Sequence, residues 1–123
     1  MKTLISAIAI LCAVILTTVF VAIYTDKLLE DFSEKIDAAI PEDNCHKAYE
    51  GTLEIEKEYD RIKSYFVLFM RENDLRETEI YIKDIKSAAT SDDLPGIAAA
   101  KNRLLLHLEQ LRRLSVFSME AIF

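Results

Sequence analysis

The residues of this chain best suited to chemistry are two histidines, two cysteines and a run of carboxylates, and their spacing argues against a catalytic or metal centre. His46 follows Cys45 at the start of a helical pattern, three residues after Asp43, while His107 lies among leucines with Arg103 and Glu109 nearby. A metal held between helices takes several ligands at helical spacing, such as Glu-x-x-His on each of two helices, and that pattern does not occur. Asp43 and His46 are read instead as a capping residue and an exposed first-turn side chain. Cys12 falls in an apolar run and Cys45 at a turn, so an intramolecular disulfide would demand an implausible fold. Cys45 is therefore expected to be a free thiol, able to pair with another chain in an oxidising exterior. Glu54, Glu56, Glu58 and Asp60 spread around a helical barrel; Glu54 and Glu58 share a face, but Lys57 and Arg61 compete for them, which marks a solvated surface. Neither a glycine-rich loop, a nucleophile elbow nor zinc-ligand spacing is found. The expectation is a non-enzymatic protein without cofactor or metal.

The elements that carry these side chains are helical. Two Gly and two Pro in 123 residues leave little material for hairpin turns, and Ala, Leu, Glu, Lys and Ile dominate. With 15 basic against 21 acidic side chains the net charge is -6, the wrong sign for neutralising phosphates, so nucleic acid is excluded as an expected partner.

Leu4 to Tyr24 is an uncharged stretch, LISAIAILCAVILTTVFVAIY, long enough at about 1.5 Å per residue to cross a hydrocarbon core of about 30 Å. Residues 1–24 are read as a transmembrane anchor and 25–123 as a separate helical domain. The rival reading is a cleaved secretory signal, but the run exceeds a signal's usual apolar core and lacks a small-x-small site near its end. Lys2 and the amino terminus precede the span, whereas Asp26, Glu30, Asp31 and Glu34 follow it with Lys27 and Lys35. That asymmetry predicts a cytoplasmic N-terminus and an extracytoplasmic bulk in a single-pass cell-membrane protein. Within the span, Ser6, Ala9, Ala13 and Thr17 recur on one helical face, a candidate packing surface for another transmembrane helix.

Beyond the anchor, Leu28, Phe32, Ile36 and Ile40 recur every four residues until Pro41, predicting an amphipathic helix that could continue the anchor. Ala48, Thr52, Ile55, Tyr59, Ile62, Phe66 and Phe69 form a heptad seam opposite a charged face spaced for pairs such as Glu54 with Lys57. Asp74 and Glu77 suggest a capping box opening a third helix with Leu75, Thr78, Ile82, Ile85 and Ala89 inside. After the turn TSDDLPG, Ile97, Ala100, Leu104, Leu108, Leu111 and Leu114 outline a fourth. The expected fold is all-α, an N-terminal transmembrane helix followed by an antiparallel bundle of four helices in two hairpins. The two halves share a helix end and acidic turn, AAIPEDN and SAATSDD.

Helix lengths add a prediction. An outgoing segment near 25–40 is shorter than its return near 45–70, so the excess should carry the apolar run Tyr65-Phe66-Val67-Leu68-Phe69-Met70 to the membrane surface, with Tyr65, Phe66, Phe69 and Met70 as its candidate contacts. Phe117 and Phe123, in the apolar finish of the last helix, should reach the same end, giving a greasy pole for contact with lipid or a partner.

The layout resembles an uncharacterised family, a domain of unknown function in short proteins of Gram-positive, often spore-forming bacteria. The likeness covers the chain and rests on the anchor, the Ala-rich helix end and acidic turn at Ala38–Asn44, Glu56–Met70 with its finish SYFVLF, and the terminal AIF. It implies one N-terminal anchor, an acidic helical domain, no assigned catalytic residues and a multi-pass membrane protein as a partner. The expected function is an extracytoplasmic interaction module or accessory subunit, in contact with the lipid bilayer and with a multi-pass membrane protein or a second copy of itself. Two alternatives are a bundle that senses a small ligand between its helices and a secreted helical protein with its signal removed.

Overall fold

The computed structural model describes residues 1–68 and 70–122, with side chains through Leu114, and among the described residues it contains helices and no strand. Four helices follow one another: α1 (Lys2–Ala39), α2 (Cys45–Phe66), α3 (Glu72–Thr90) and α4 (Leu94–Ile122). α1 packs on α2 and α4, α3 packs on α2 and α4, and the diagonals are nearly empty, as in an up-down-up-down bundle. The apolar run read as an anchor and the first bundle helix are thus one helix. No Gly or Pro interrupts the sequence between Lys2 and Pro41, so nothing breaks the hydrogen-bond ladder over its 38 residues, about 57 Å at 1.5 Å per residue.

The core assembles from the expected seams. Leu29, Phe32, Ile36 and Ile40 meet Ile55, Tyr59, Ile62 and Phe66 from α2, Leu75, Ile82 and Ile85 from α3, and Ile97, Leu104, Leu108 and Leu111 from α4. Leu114 departs from the pattern and is exposed, at the level where the seam leaves the bundle. Thr52 and Thr78 sit in the seam at no polar cost because their hydroxyls donate back to the Ala48 and Asp74 carbonyls at 2.7 and 2.8 Å. On the charged face the partners are mostly tertiary: Glu58 meets Lys35 and Arg61, Glu79 meets Lys63, and Glu56 meets Lys86. The expected Glu54–Lys57 pair is absent from the ion pairs of the described residues.

Helix ends correct two expectations. Asn44, and not Asp43, is the N-cap of α2, its Oδ1 accepting from the Lys47 N–H at 3.0 Å. At α3, however, the chain is already helical at Glu72, the N-cap is Arg71 without a side-chain bond, and no Asp74–Glu77 capping box forms. Asp74 pairs with Arg71, and Glu77 reaches across to His107. α3 closes in a Schellman turn, with the Asp93 N–H bonded to the Ala88 carbonyl and the Asp92 N–H to that of Ala89. The likeness of AAIPEDN to SAATSDD extends to the N-caps, Asn44 and Asp93, but not to the stops, since Ile40 ends α1 in extended backbone.

Asp92 occupies the left-handed position of that Schellman turn at φ 54°, where a Cβ is unfavourable. Asp92→Gly should therefore stabilise the bundle by about 0.5–1 kcal/mol, read as a higher midpoint of denaturant unfolding. A lower midpoint would mean that the carboxylate contributes more than the backbone strain costs.

Register decides where the long helices overhang. Gly51 lies against Ala39, Phe32 packs on Tyr59 with ring centroids 6.2 Å apart, and Tyr24 meets Tyr65 at 6.4 Å. α2 therefore ends level with Tyr24, and its extra turns, Cys45–Glu50, project past the end of α1 at the opposite pole. The overhang expected beside the membrane is at the far end instead. Tyr65 reaches the level of the apolar run because α1 itself continues downward.

Candidate functional site

The end of the bundle nearest the apolar run holds Tyr65, Phe66 and Met70, three of the residues singled out for contact. Among the described residues α1 is the one helix long and apolar enough to cross a membrane, and none of its most apolar window is buried by the bundle. Burial begins at Thr25, immediately after the last residue of the uncharged run. Exposed apolar side chains such as Ile5, Leu11, Leu16 and Phe20 in water would oppose the hydrophobic effect over six turns of helix, a surface far larger than isolated exposed apolar residues represent. The Thr17 and Thr18 hydroxyls donate to the Ala13 and Val14 carbonyls, both at 2.8 Å, so their polar groups are satisfied without water.

Ser6, Ala9, Ala13 and Thr17 are all exposed. At 100° per residue their stripe lies about a third of a turn around α1 from the face formed by Thr25, Leu29, Phe32 and Ile36. Phe20 and Tyr24 extend the same stripe toward the bundle, stacked on each other with centroids 6.2 Å apart.

The expected contact residues separate. Tyr65 is half-exposed on the edge of Tyr24, whereas Phe66 is 1% exposed and packs in the core. Phe66 is therefore a structural residue, because its heptad position faces inward while Tyr65 is turned by a third of a helical turn. Met70 packs part-buried against the core, its N–H bonded to the Phe66 carbonyl at 2.8 Å. Phe69, Phe123 and the side chain of Phe117 lie outside the described residues. Val67 and Leu68, inside the apolar run expected at this end, are exposed in the α2–α3 turn, where the run outlasts the last core position.

At the other pole, Cys45 is a free, partly buried thiol beside a hollow of about 280 Å³ lined also by His46, Tyr49, Ala89, Thr90 and Asp92. Desolvation, then the carboxylates of Asp92 and Asp93, push its pKa upward, so the thiolate is disfavoured there. His46 is exposed and pairs with Glu50 one turn on at 3.1 Å, away from any cluster of ligands. Among the described residues no group of three or more His, Cys, Asp or Glu side chains could hold a metal ion.

Two buried polar residues were not anticipated. His107 lies in the α3–α4 seam, with Nε2 3.1 Å from the Asp74 carbonyl, Nδ1 3.4 Å from the Glu77 carboxylate and its ring edge-on to Tyr81. Lys101, on the apolar face of α4, directs its ammonium into the C-terminus of α1. Both follow the spacing of the α4 seam, which was the available signal. Between α2 and α3, two surface grooves hold ion pairs. One is lined by Glu56, Asp60, Lys83 and Lys86 beside Tyr59, and the other by Lys63, Glu72, Arg76 and Glu79 over Val67, Met70 and Leu75. Hydrogen bonds from Arg61 and Lys35 hold the Glu58 carboxyl at about 2, well below the usual range. These charges work as interhelical fasteners around a core that the sequence had already marked.

No family model matches the chain, and no curated protein or solved structure matches it.

Proposed function

We propose that this chain is a single-pass membrane protein, with residues 1–24 as anchor and residues 25–123 as an extracytoplasmic helical module. The module serves as a non-catalytic interaction partner or accessory subunit of a membrane complex. The carrying observation is an apolar segment left bare by the bundle yet continuous with its first core helix. A bare segment of this kind is stable in a bilayer and costly in water. Its continuity means that the anchor fixes the module's position at the membrane, as an accessory subunit requires, and a multi-pass membrane protein or a second copy is the natural neighbour in that plane. The flanking charges support the outward orientation, with Lys2 before the span and Asp26, Glu30, Asp31 and Glu34 after it.

The test is fractionation and protease accessibility of the full-length chain expressed in bacterial cells. The expected result is retention in the membrane pellet through alkaline carbonate washing, with residues beyond 25 digested by protease added outside intact spheroplasts. Recovery in the soluble fraction, shortened by its first two dozen residues, would favour the secreted reading. Digestion only after lysis would reverse the orientation.

A further inference from the structure

We infer that the α2–α3 turn is a second membrane contact, with Tyr65, Val67 and Leu68 seated in the lipid interface beside the span. This rests on the anchored reading above, and its occupant is the bilayer. At 78% exposure, Leu68 is barer than any large apolar side chain of the span after Met1. Its position explains why. Tyr24 ends the apolar run and touches Tyr65, and beyond Tyr65 the chain is still turning helically, with the Val67 N–H on the Lys63 carbonyl at 2.9 Å and the Leu68 N–H on that of Tyr65 at 3.2 Å. Three further residues at about 1.5 Å each bring Leu68 about 4 Å beyond Tyr65, level with the last turn of the apolar run rather than above it. A side chain at that depth meets lipid wherever the run itself does.

The chemistry around the turn suits the headgroup region. Phe20, Tyr24 and Tyr65 form a continuous aromatic row from span to turn, the arrangement that places amphipathic rings at the membrane–water boundary. The side chains of Arg61, Arg71 and Arg76, around the turn, are mostly exposed; each pairs with one carboxylate, of Glu58, Asp74 and Glu72, and the remaining N–H groups of the guanidinium forks can reach lipid phosphates. Apolar tips flanked by such cations match a lipid interface better than the flat apolar core of a protein interface, which is depleted in charge. The contact would give the module two footholds, the span and the turn, and so fix its tilt.

The chain contains no tryptophan, so each single-indole variant carries its own reporter. L68W, I80W and L11W full-length proteins in phosphatidylcholine–phosphatidylglycerol vesicles would be compared with and without bromine on the acyl chains, and with aqueous acrylamide. The L68W indole should emit to the blue and lose at least about half its intensity in brominated lipid, as expected for an interfacial residue. The I80W indole, on an exposed position farther up α3, should respond to acrylamide and ignore the bromine. Quenching of L68W by acrylamide alone, with L11W still quenched by lipid, would overturn the second contact and leave the anchor standing. Protection of L68W from both quenchers would also overturn it, since a protein surface would then cover the turn. Failure of L11W to respond to brominated lipid would remove the anchored reading itself. Leu68 is so exposed that its exchange does not threaten the core, and an unchanged helical dichroism checks this.

Discussion

Gly51→Ala should destabilise the bundle by about 2–3 kcal/mol, although alanine is the better helix former by about 1 kcal/mol. A Cβ at Gly51 would stand 1.8 Å from the Ala39 carbonyl oxygen and 2.7 Å from its carbon, both backbone atoms at the closing turn of α1. A flexible side chain could swing aside, but this carbonyl can retreat only if α1 and α2 separate. Separation would loosen Ile36 and Ile40 against Ala48 and Ile55, all buried within a few per cent. Conformational preference at an exposed site would therefore favour alanine, and the interhelical contact reverses the sign. Denaturant unfolding of the full chain in detergent micelles, followed by helical dichroism, measures the effect. An unchanged or raised midpoint would show that the helices yield at this crossing without cost.

The second large effect is expected at Lys101. Its side chain is 6% exposed and its ammonium donates to the Ile40 carbonyl at 2.8 Å and the Asp37 carbonyl at 3.3 Å, at a helix end that carries no basic residue in its own last turn. The cation thus caps α1 from 61 residues away, satisfying carbonyls that the helix leaves unpaired and complementing its dipole. It also lies 3.2 Å from the Asp37 carboxylate and 3.9 Å from that of Glu42, but these are 73% and 49% exposed. Water screens such partners, so each contributes under about 1 kcal/mol. The buried carbonyl bond is the larger part. Lys101→Met, which keeps the apolar stem, should cost about 2–3 kcal/mol by stranding the Ile40 carbonyl, against about 0.5 kcal/mol for Asp37→Ala. Equal losses in the two variants, by the same unfolding measurement, would mean that the ion pair dominates. Gly51 and Lys101 both act on the last turn of α1, so their combined effect should depart from the sum of the two.

The seams of all four helices were legible in the sequence because burial follows a 3.6-residue period. Phe32, Ile55, Ile82 and Leu104 declare themselves by neighbours three and four positions away. The bare apolar run was legible for a still simpler reason, since twenty-one uncharged residues in a row admit few environments. The candidate surface was only half legible. Tyr65, Phe66 and Met70 read alike as apolar residues near a helix end, yet one helical step turns Phe66 into the core and leaves Tyr65 at the rim. Val67 and Leu68 lie in the same run, and their exposure at the turn depends on where the partner helix stops.

By itself the sequence determined the four bundle segments, their inward faces and the bare apolar lead, all of which are properties of neighbouring residues along one segment. The tertiary structure decided that the apolar lead and the first bundle segment share a single unbroken helix, so that four helices make the whole. It set the register that moves the overhang of α2 to the far pole, and it paired Lys101 with the end of α1 and His107 with α3. Those outcomes join residues from sixteen to more than sixty positions apart, as in Tyr59 with Leu75 and Lys101 with Asp37. Local periodicity carries no information about which helix supplies a partner or at what height. Only packing, through close contacts such as that of Gly51 on Ala39, fixes both.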